Sequence, residues 1–169
     1  DYVARHDPDP LRYVLTAIMP ETRDSDFTWA EYVRRNNDEL VARWGNLVNR
    51  VVTITRRNFE ERVPVPPATL AAESQSLLDA VDAAFAEVGA HIEAVNLRAA
   101  LGAAMSVATL ANRYLDDRAP WTAVRSDREH AAETLYVAIN VISGLATLLQ
   151  PFLPFTSREA WAFCGNAGE

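Results

Sequence analysis

The sequence predicts an all-α protein, an antiparallel helix bundle with an N-terminal linker helix. Apolar residues recur at three- and four-residue steps along most of the chain, no stretch alternates with period two, and no Asn-Gly or Asp-Gly hairpin turn occurs. The connectors between helical runs are short, which makes neighbouring helices antiparallel. At 169 residues the chain has the length of one domain with a full core. A hydrophobic share of 49% against 23% charged excludes disordered and low-complexity classes. There is no internal repeat of fixed period.

Asp7-Pro8-Asp9-Pro10 opens the first helix, because Asp caps an N-terminus and Pro is tolerated in the first turn. Leu11, Val14, Leu15 and Ile18 then form its apolar face. A polar connector over Pro20 to Asp26 leads to Thr28 and Glu31, spaced as a capping box. From Thr28 to about Arg57 one long helix is expected, with Val33, Leu40, Trp44, Leu47, Val51 and Ile54 as a continuous seam interrupted at Asn37. Val63-Pro64-Val65-Pro66-Pro67 is a rigid, non-helical connector. A third helix runs from about Thr69 to Glu93 and a fourth, capped by Asn96, to about Asp117. Pro120-Trp121 interrupts the pattern, Ser126 and Glu129 form a capping box for a fifth helix ending near Gln150, and a last helix starts at Thr156, capped with Glu159, and stops at Gly165. Leu135 to Phe155 is 21 residues without a charge, the length of a membrane span. Asn140, Ser143, Thr147, Gln150 and two prolines mark it instead as a buried bundle helix, with the first three on a face suited to close packing, so no membrane partner is expected.

Little in the sequence points to catalysis. His6, His91 and His130 are scattered, Cys164 has no His near it, and no Gly-rich phosphate loop is present, so neither catalytic residues nor a metal site are expected. The single cysteine excludes an internal disulfide and fits a reducing cytoplasm. Asp1 stands where an initiator Met would, so the chain is expected to be processed or part of something longer. The aspartates at positions 7, 9, 24, 26, 116 and 117 border helix ends and read as caps or solvated termini.

The net charge of −7 disfavours a partner held by bulk positive charge, yet every basic residue is Arg, whose planar fork suits phosphates and bases. Charge is also segregated: seven Arg face five acids from Glu31 to Arg62, whereas Ala68 to Asn96 holds five acids and no Arg. On the flank of the long helix, Arg43, Asn46, Arg50 and Arg57 follow steps of three, four and seven. Asn46 and Arg50 thus stand side by side at the boundary of core and water, next to Gly45, a mid-helix glycine expected to mark close approach of a backbone or ligand. Trp121, directly after a helix-breaking proline, is either a plug over the bundle end or a stacking platform for an unstacked base. An Asn/Arg pair and a corner Trp are the parts that read single-stranded loops.

Three segments carry a resemblance: Trp44-Gly45-Asn46-Leu47-Val48-Asn49-Arg50-Val51, the run from Asn112 through Asp116-Asp117-Arg118-Ala119-Pro120 to Trp121, and Gln150-Pro151-Phe152-Leu153-Pro154-Phe155-Thr156. With Asp9-Pro10-Leu11-Arg12-Tyr13, they resemble, in the same order, the C-terminal helical domain of the methionyl-tRNA synthetase family. The resemblance implies the class I synthetase anticodon-binding fold, with residues 1–27 as a linker and stem-contact segment after the catalytic domain and residues 28–169 as the anticodon-binding domain. It implies that Asn46 and Arg50 hydrogen-bond the anticodon, chiefly its first base, and that Trp121 stacks on a splayed-out base. Partners would be the tRNA(Met) anticodon loop and the protein's own catalytic domain, in a monomer. ATP, and zinc in a Cys-rich insertion, would belong to that catalytic domain and not to these residues. Trp44 replaces the smaller apolar residue more usual there. The Gly-Asn-Leu and Pro-Phe-Leu-Pro patterns are shared with the valine, isoleucine, leucine and cysteine enzymes, which form one alternative; a helical protein-interaction scaffold is the other.

Overall fold

The computed structural model describes residues 2–21 and 24–166, so Thr22 and Arg23 of the polar connector, together with the outermost residues of the two expected segments, lie outside the described residues. Helices α1 (Pro8–Ala17), α2 (Trp29–Arg35) and α3 (Asn46–Asn58) are followed by α4 (Ala72–Glu93), α5 (Leu97–Arg118), α6 (Pro120–Ser126), α7 (Arg128–Leu149) and α8 (Pro154–Phe163), with a π-helical segment, Asn36–Gly45, between α2 and α3. No strand occurs among the described residues.

The centre of the bundle is α7, which packs against α3, α4, α5, α6 and α8. The expected uncharged stretch is thus a core helix: Leu135, Val137, Val141, Ile142, Leu145 and Leu149 are all fully buried. Of the three polar residues on the expected packing face, Ser143 is partly buried and accepts from Asn166 Nδ2 beyond α8. Asn140 and Thr147 face solvent, and the close approach falls at Gly144, where a Cβ would overlap Val81 Cγ1 on α4. Gly144→Ala should therefore lower the urea midpoint at unchanged m-value, because overpacking against a stiff β-branched side chain, about 1–3 kcal/mol, exceeds the roughly 1 kcal/mol that Ala gains in helix propensity. A raised midpoint would show that α4 yields.

The long helix from Thr28 to Arg57 is one helical run, but not one α-helix. Thr28 accepts from the Glu31 N–H, one half of the expected capping box, while the Glu31 carboxylate turns to Arg34 and Arg35. In the π segment the bonding reaches one residue further back; the Asn46 N–H donates to the Val41 carbonyl, five residues away. The change of register turns the two ends of the seam apart. Leu40, Trp44, Leu47 and Val51 are buried, whereas Val33 on α2 faces solvent. In α1 the buried positions are Asp9, Tyr13 and Val14, and Leu15, expected inside, is outside. Phe85 of α4 is likewise more exposed than its spacing suggests.

Several helix ends are satisfied from a distance. Asp7 caps α1 through the Asp9 N–H, as expected. Asn96 occupies the N-cap of α5 without a side-chain bond, and the Arg98 N–H donates instead to Glu21 at 2.8 Å. Helix α7 is capped by Asp127, which accepts from the His130 N–H, and Ser126 is the last residue of α6. Helix α8 begins at Pro154, two residues before the expected start. Thr156 does not cap it; its N–H and hydroxyl both donate to Asp9. At the far end Gly165 takes φ +83°, the left-handed position just past the α8 C-cap.

Candidate nucleic-acid interface

The polar flank of α3 meets the corner between α5 and α6. Arg50 lies with its guanidinium carbon 4.6 Å from the Trp121 ring centroid, and its Nη2 donates to Asp116 Oδ1 at 2.7 Å. Asn46 is exposed one turn earlier on the same helix. Trp121 keeps 41% of its surface in solvent, which fits a platform and not a plug over the bundle end. The Arg50–Asp116 pair is solvated on both sides, so it contributes at most about 1 kcal/mol and holds Arg50 in place without locking it. A guanidinium stacked on an indole beside an exposed amide offers a planar stacking surface, a bidentate donor fork and a mixed donor–acceptor.

The corner itself is strained. Ala119, the C-cap of α5 and N-cap of α6, has φ 41° and ψ 57°, a left-handed conformation that costs an L-residue about 1–2 kcal/mol. Pro120 then starts α6 at N1, which sets Trp121 in the first turn. Asn112, one of the residues of the resemblance, bridges α5 to the π segment: its Nδ2 donates to the Arg43 carbonyl at 2.8 Å and to Ala108 of its own helix. That bond ties the helix bearing Asn46 and Arg50 to the helix leading to Trp121.

Beneath the corner is a buried polar cluster that the spacing of residues did not reveal. Glu133 of α7 accepts from Arg118 Nη2 at 2.9 Å, from the Ser74 hydroxyl at 2.5 Å and from the Ala71 N–H at 2.8 Å. Ser74 also bonds the Tyr114 hydroxyl, and Arg118 Nε donates to Thr134. Burial opposes ionisation of Glu133, but Ser74, Ala71 and Arg118 together outweigh it and hold the carboxyl below its ordinary range. Glu133 thereby serves the α4 N-terminus, which has no side-chain cap of its own.

Two other expectations fare differently. Among the described residues no other backbone approaches Gly45 closely; the nearest atom to a Cβ there is the Leu40 carbonyl oxygen at 3.9 Å, an ordinary contact, and the glycine closes the π segment. Asp116 does border a helix end and is exposed, but it is also the partner of Arg50, 66 residues away, which no local pattern announces. Among the described residues no three His, Cys, Asp or Glu side chains converge as metal ligands.

A family profile described as the anticodon binding domain of methionyl tRNA ligase matches residues 63–166, and one described as class I tRNA synthetases (M) matches residues 1–52. The methionine–tRNA ligase of Thermomicrobium roseum is 50% identical over 165 residues, 98% of this chain, and that of a Roseiflexus species is 49% identical over 97% of it. The crystal structure of Mycobacterium tuberculosis methionyl-tRNA synthetase bound by methionyl-adenylate superposes with a TM-score of 0.90 at 29% identity, covering 94% of this chain and 32% of that one. The bundle is that of a helical anticodon-binding domain from a class I tRNA synthetase. Within that class the chain belongs to the methionyl-tRNA ligase family, of whose curated members it spans about 28% in length.

Proposed function

We propose that this chain reads the anticodon loop of tRNA(Met) for a methionine–tRNA ligase that joins methionine to its tRNA at the expense of ATP in the cytoplasm. In this reading Asn46 and Arg50 hydrogen-bond base edges and Trp121 stacks on a splayed-out base. Residues 1–27 link the anticodon-binding part, 28–169, to the catalytic portion, where ATP binds, and the enzyme acts as a monomer. The observation that supports it best is the juxtaposition of Arg50 and Trp121, with Asn46 one turn away on the same exposed flank. Net charge does not oppose it, because recognition of a short loop depends on a few groups, and the Arg-rich stretch includes α3.

Trp121→Ala should weaken binding of a CAU anticodon stem-loop by about 1–3 kcal/mol with helicity intact. Arg50→Gln should narrow the difference between CAU and other anticodons more than it changes the salt slope, since base contacts specify while phosphate contacts set the electrolyte dependence. Unchanged affinity of a folded Trp121→Ala variant would overturn the stacking role.

A further inference from the structure

We infer that Arg118 and Glu133 are positioning residues for Trp121: the first two turns of α7 hold the α5–α6 corner in the conformation that presents the indole. Residue 118 is held by α7 through both its side chain and its carbonyl. Its guanidinium donates to Glu133 and to Thr134 Oγ1, and its carbonyl accepts from His130 Nε2 at 3.0 Å. The next residue is Ala119, with the left-handed backbone, and Trp121 follows two positions later. A strained non-glycine conformation persists only where its surroundings over-determine it. Here the constraint comes before Ala119 from Arg118, and after it from α6, which packs on α7.

The two acceptors of Arg118 are inside the bundle: Glu133 and Thr134 are both buried, and Glu133 is fixed from its other side by Ser74 and Ala71 of the α4 start. The pair is therefore referenced to three helices and not to a single mobile side chain. Arg50 faces the indole from α3, so a shift of the corner separates the two halves of the interface even though neither Arg118 nor Glu133 lies on it.

Only the second arm of the test rests on the anticodon reading. First, the indole N–H resonance of Trp121 is followed in the 169-residue chain, with the buried Trp44 as an internal reference. Glu133→Gln, which keeps an acceptor for Ala71 and Ser74 but turns donors toward Arg118, should shift or split the Trp121 signal and leave Trp44 in place. Thr134→Val, a milder change that removes one Arg118 partner, should do the same to a smaller degree and decides the matter if Glu133→Gln does not fold. A Trp121 signal that stays put while the urea midpoint falls would overturn the inference. Second, in a double-mutant cycle, Glu133→Gln should weaken CAU stem-loop binding about five- to tenfold when Trp121 is present, and less than about twofold in the Trp121→Ala background. Equal losses in both backgrounds would mean general loosening, against positioning. If Trp121→Ala alone leaves RNA affinity untouched, the anticodon reading fails while the resonance arm still decides whether the corner is held from α7.

Discussion

Asp9→Ala should destabilise the chain by about 3–5 kcal/mol, measured as a fall in the urea midpoint followed by circular dichroism. Asp9 is fully buried, and its Oδ2 accepts from the Phe155 N–H at 3.1 Å, the Thr156 N–H at 2.8 Å and the Thr156 hydroxyl at 2.9 Å. The two amides belong to the first turn of α8, whose N-cap, Leu153, has no side chain able to serve them. A carboxylate there completes the helix and meets the positive end of its dipole. Hydrogen bonds to a charged group contribute about 1.5–3 kcal/mol each and are not additive, so the total is less than their sum. Asp9→Asn keeps one oxygen acceptor and should recover part of the loss. Arg12 adds a second grip on the connector just before α8, donating to the Phe152 and Pro151 carbonyls, so α1 should stay docked in the variant while the α8 start frays. A loss under about 1 kcal/mol would mean that water replaces the carboxylate at the α8 terminus.

The same bonds explain what the sequence made legible. Helices α4, α5 and α7 are visible because each carries an apolar period sustained over four turns or more. Asp7 and Thr28 were visible as caps because their partners lie two and three residues on. Asp9, Glu21 and Glu133 also serve helix ends, but over 146, 77 and 62 residues, and no spacing rule reaches that far. Asp9 serves a helix start, as its place beside one predicts, but the helix is α8 and not α1. The π segment escaped because a seam at steps of three and four reads the same in sequence whichever carbonyl each N–H selects; only Val33, turned outward, betrays it.

At the interface the division is similar. The flank position of Asn46 and Arg50 follows from helical geometry, and the corner position of Trp121 from Pro120. Their meeting depends on how α3 lies against α5 and α6, which the Asn112 bond to Arg43 helps fix and which local pattern does not encode. Ala119 gives no hint of its left-handed conformation, since the residue usual there is glycine. That mismatch is itself informative, because a site whose local preference and observed backbone disagree must be held by tertiary contacts.

Those contacts converge on Glu133, and Glu133→Ala should cost about 3–5 kcal/mol at neutral pH by leaving Arg118 buried without its counter-ion and the Ala71 N–H and Ser74 hydroxyl without an acceptor. The pH dependence has a definite sign. The carboxyl is held below its ordinary value in the folded chain, so its contribution is complete above the unfolded carboxyl value, about pH 4.3, and is lost as pH falls through the folded value. The gap in stability between the parent and Glu133→Ala should therefore be flat from pH 7 to pH 5 and close progressively in more acid solution. Removing both charges separates pairing from packing: Arg118→Met with Glu133→Leu should recover much of the loss, because an apolar pair of similar volume avoids the desolvation that a lone buried charge suffers. If the double variant is no more stable than Glu133→Ala, the carboxylate's bonds to Ala71 and Ser74, and not the ion pair, dominate the cluster. Recovery of stability without recovery of the Trp121 resonance would separate the two functions of Glu133, one holding the bundle together and the other setting the angle at which α6 leaves it.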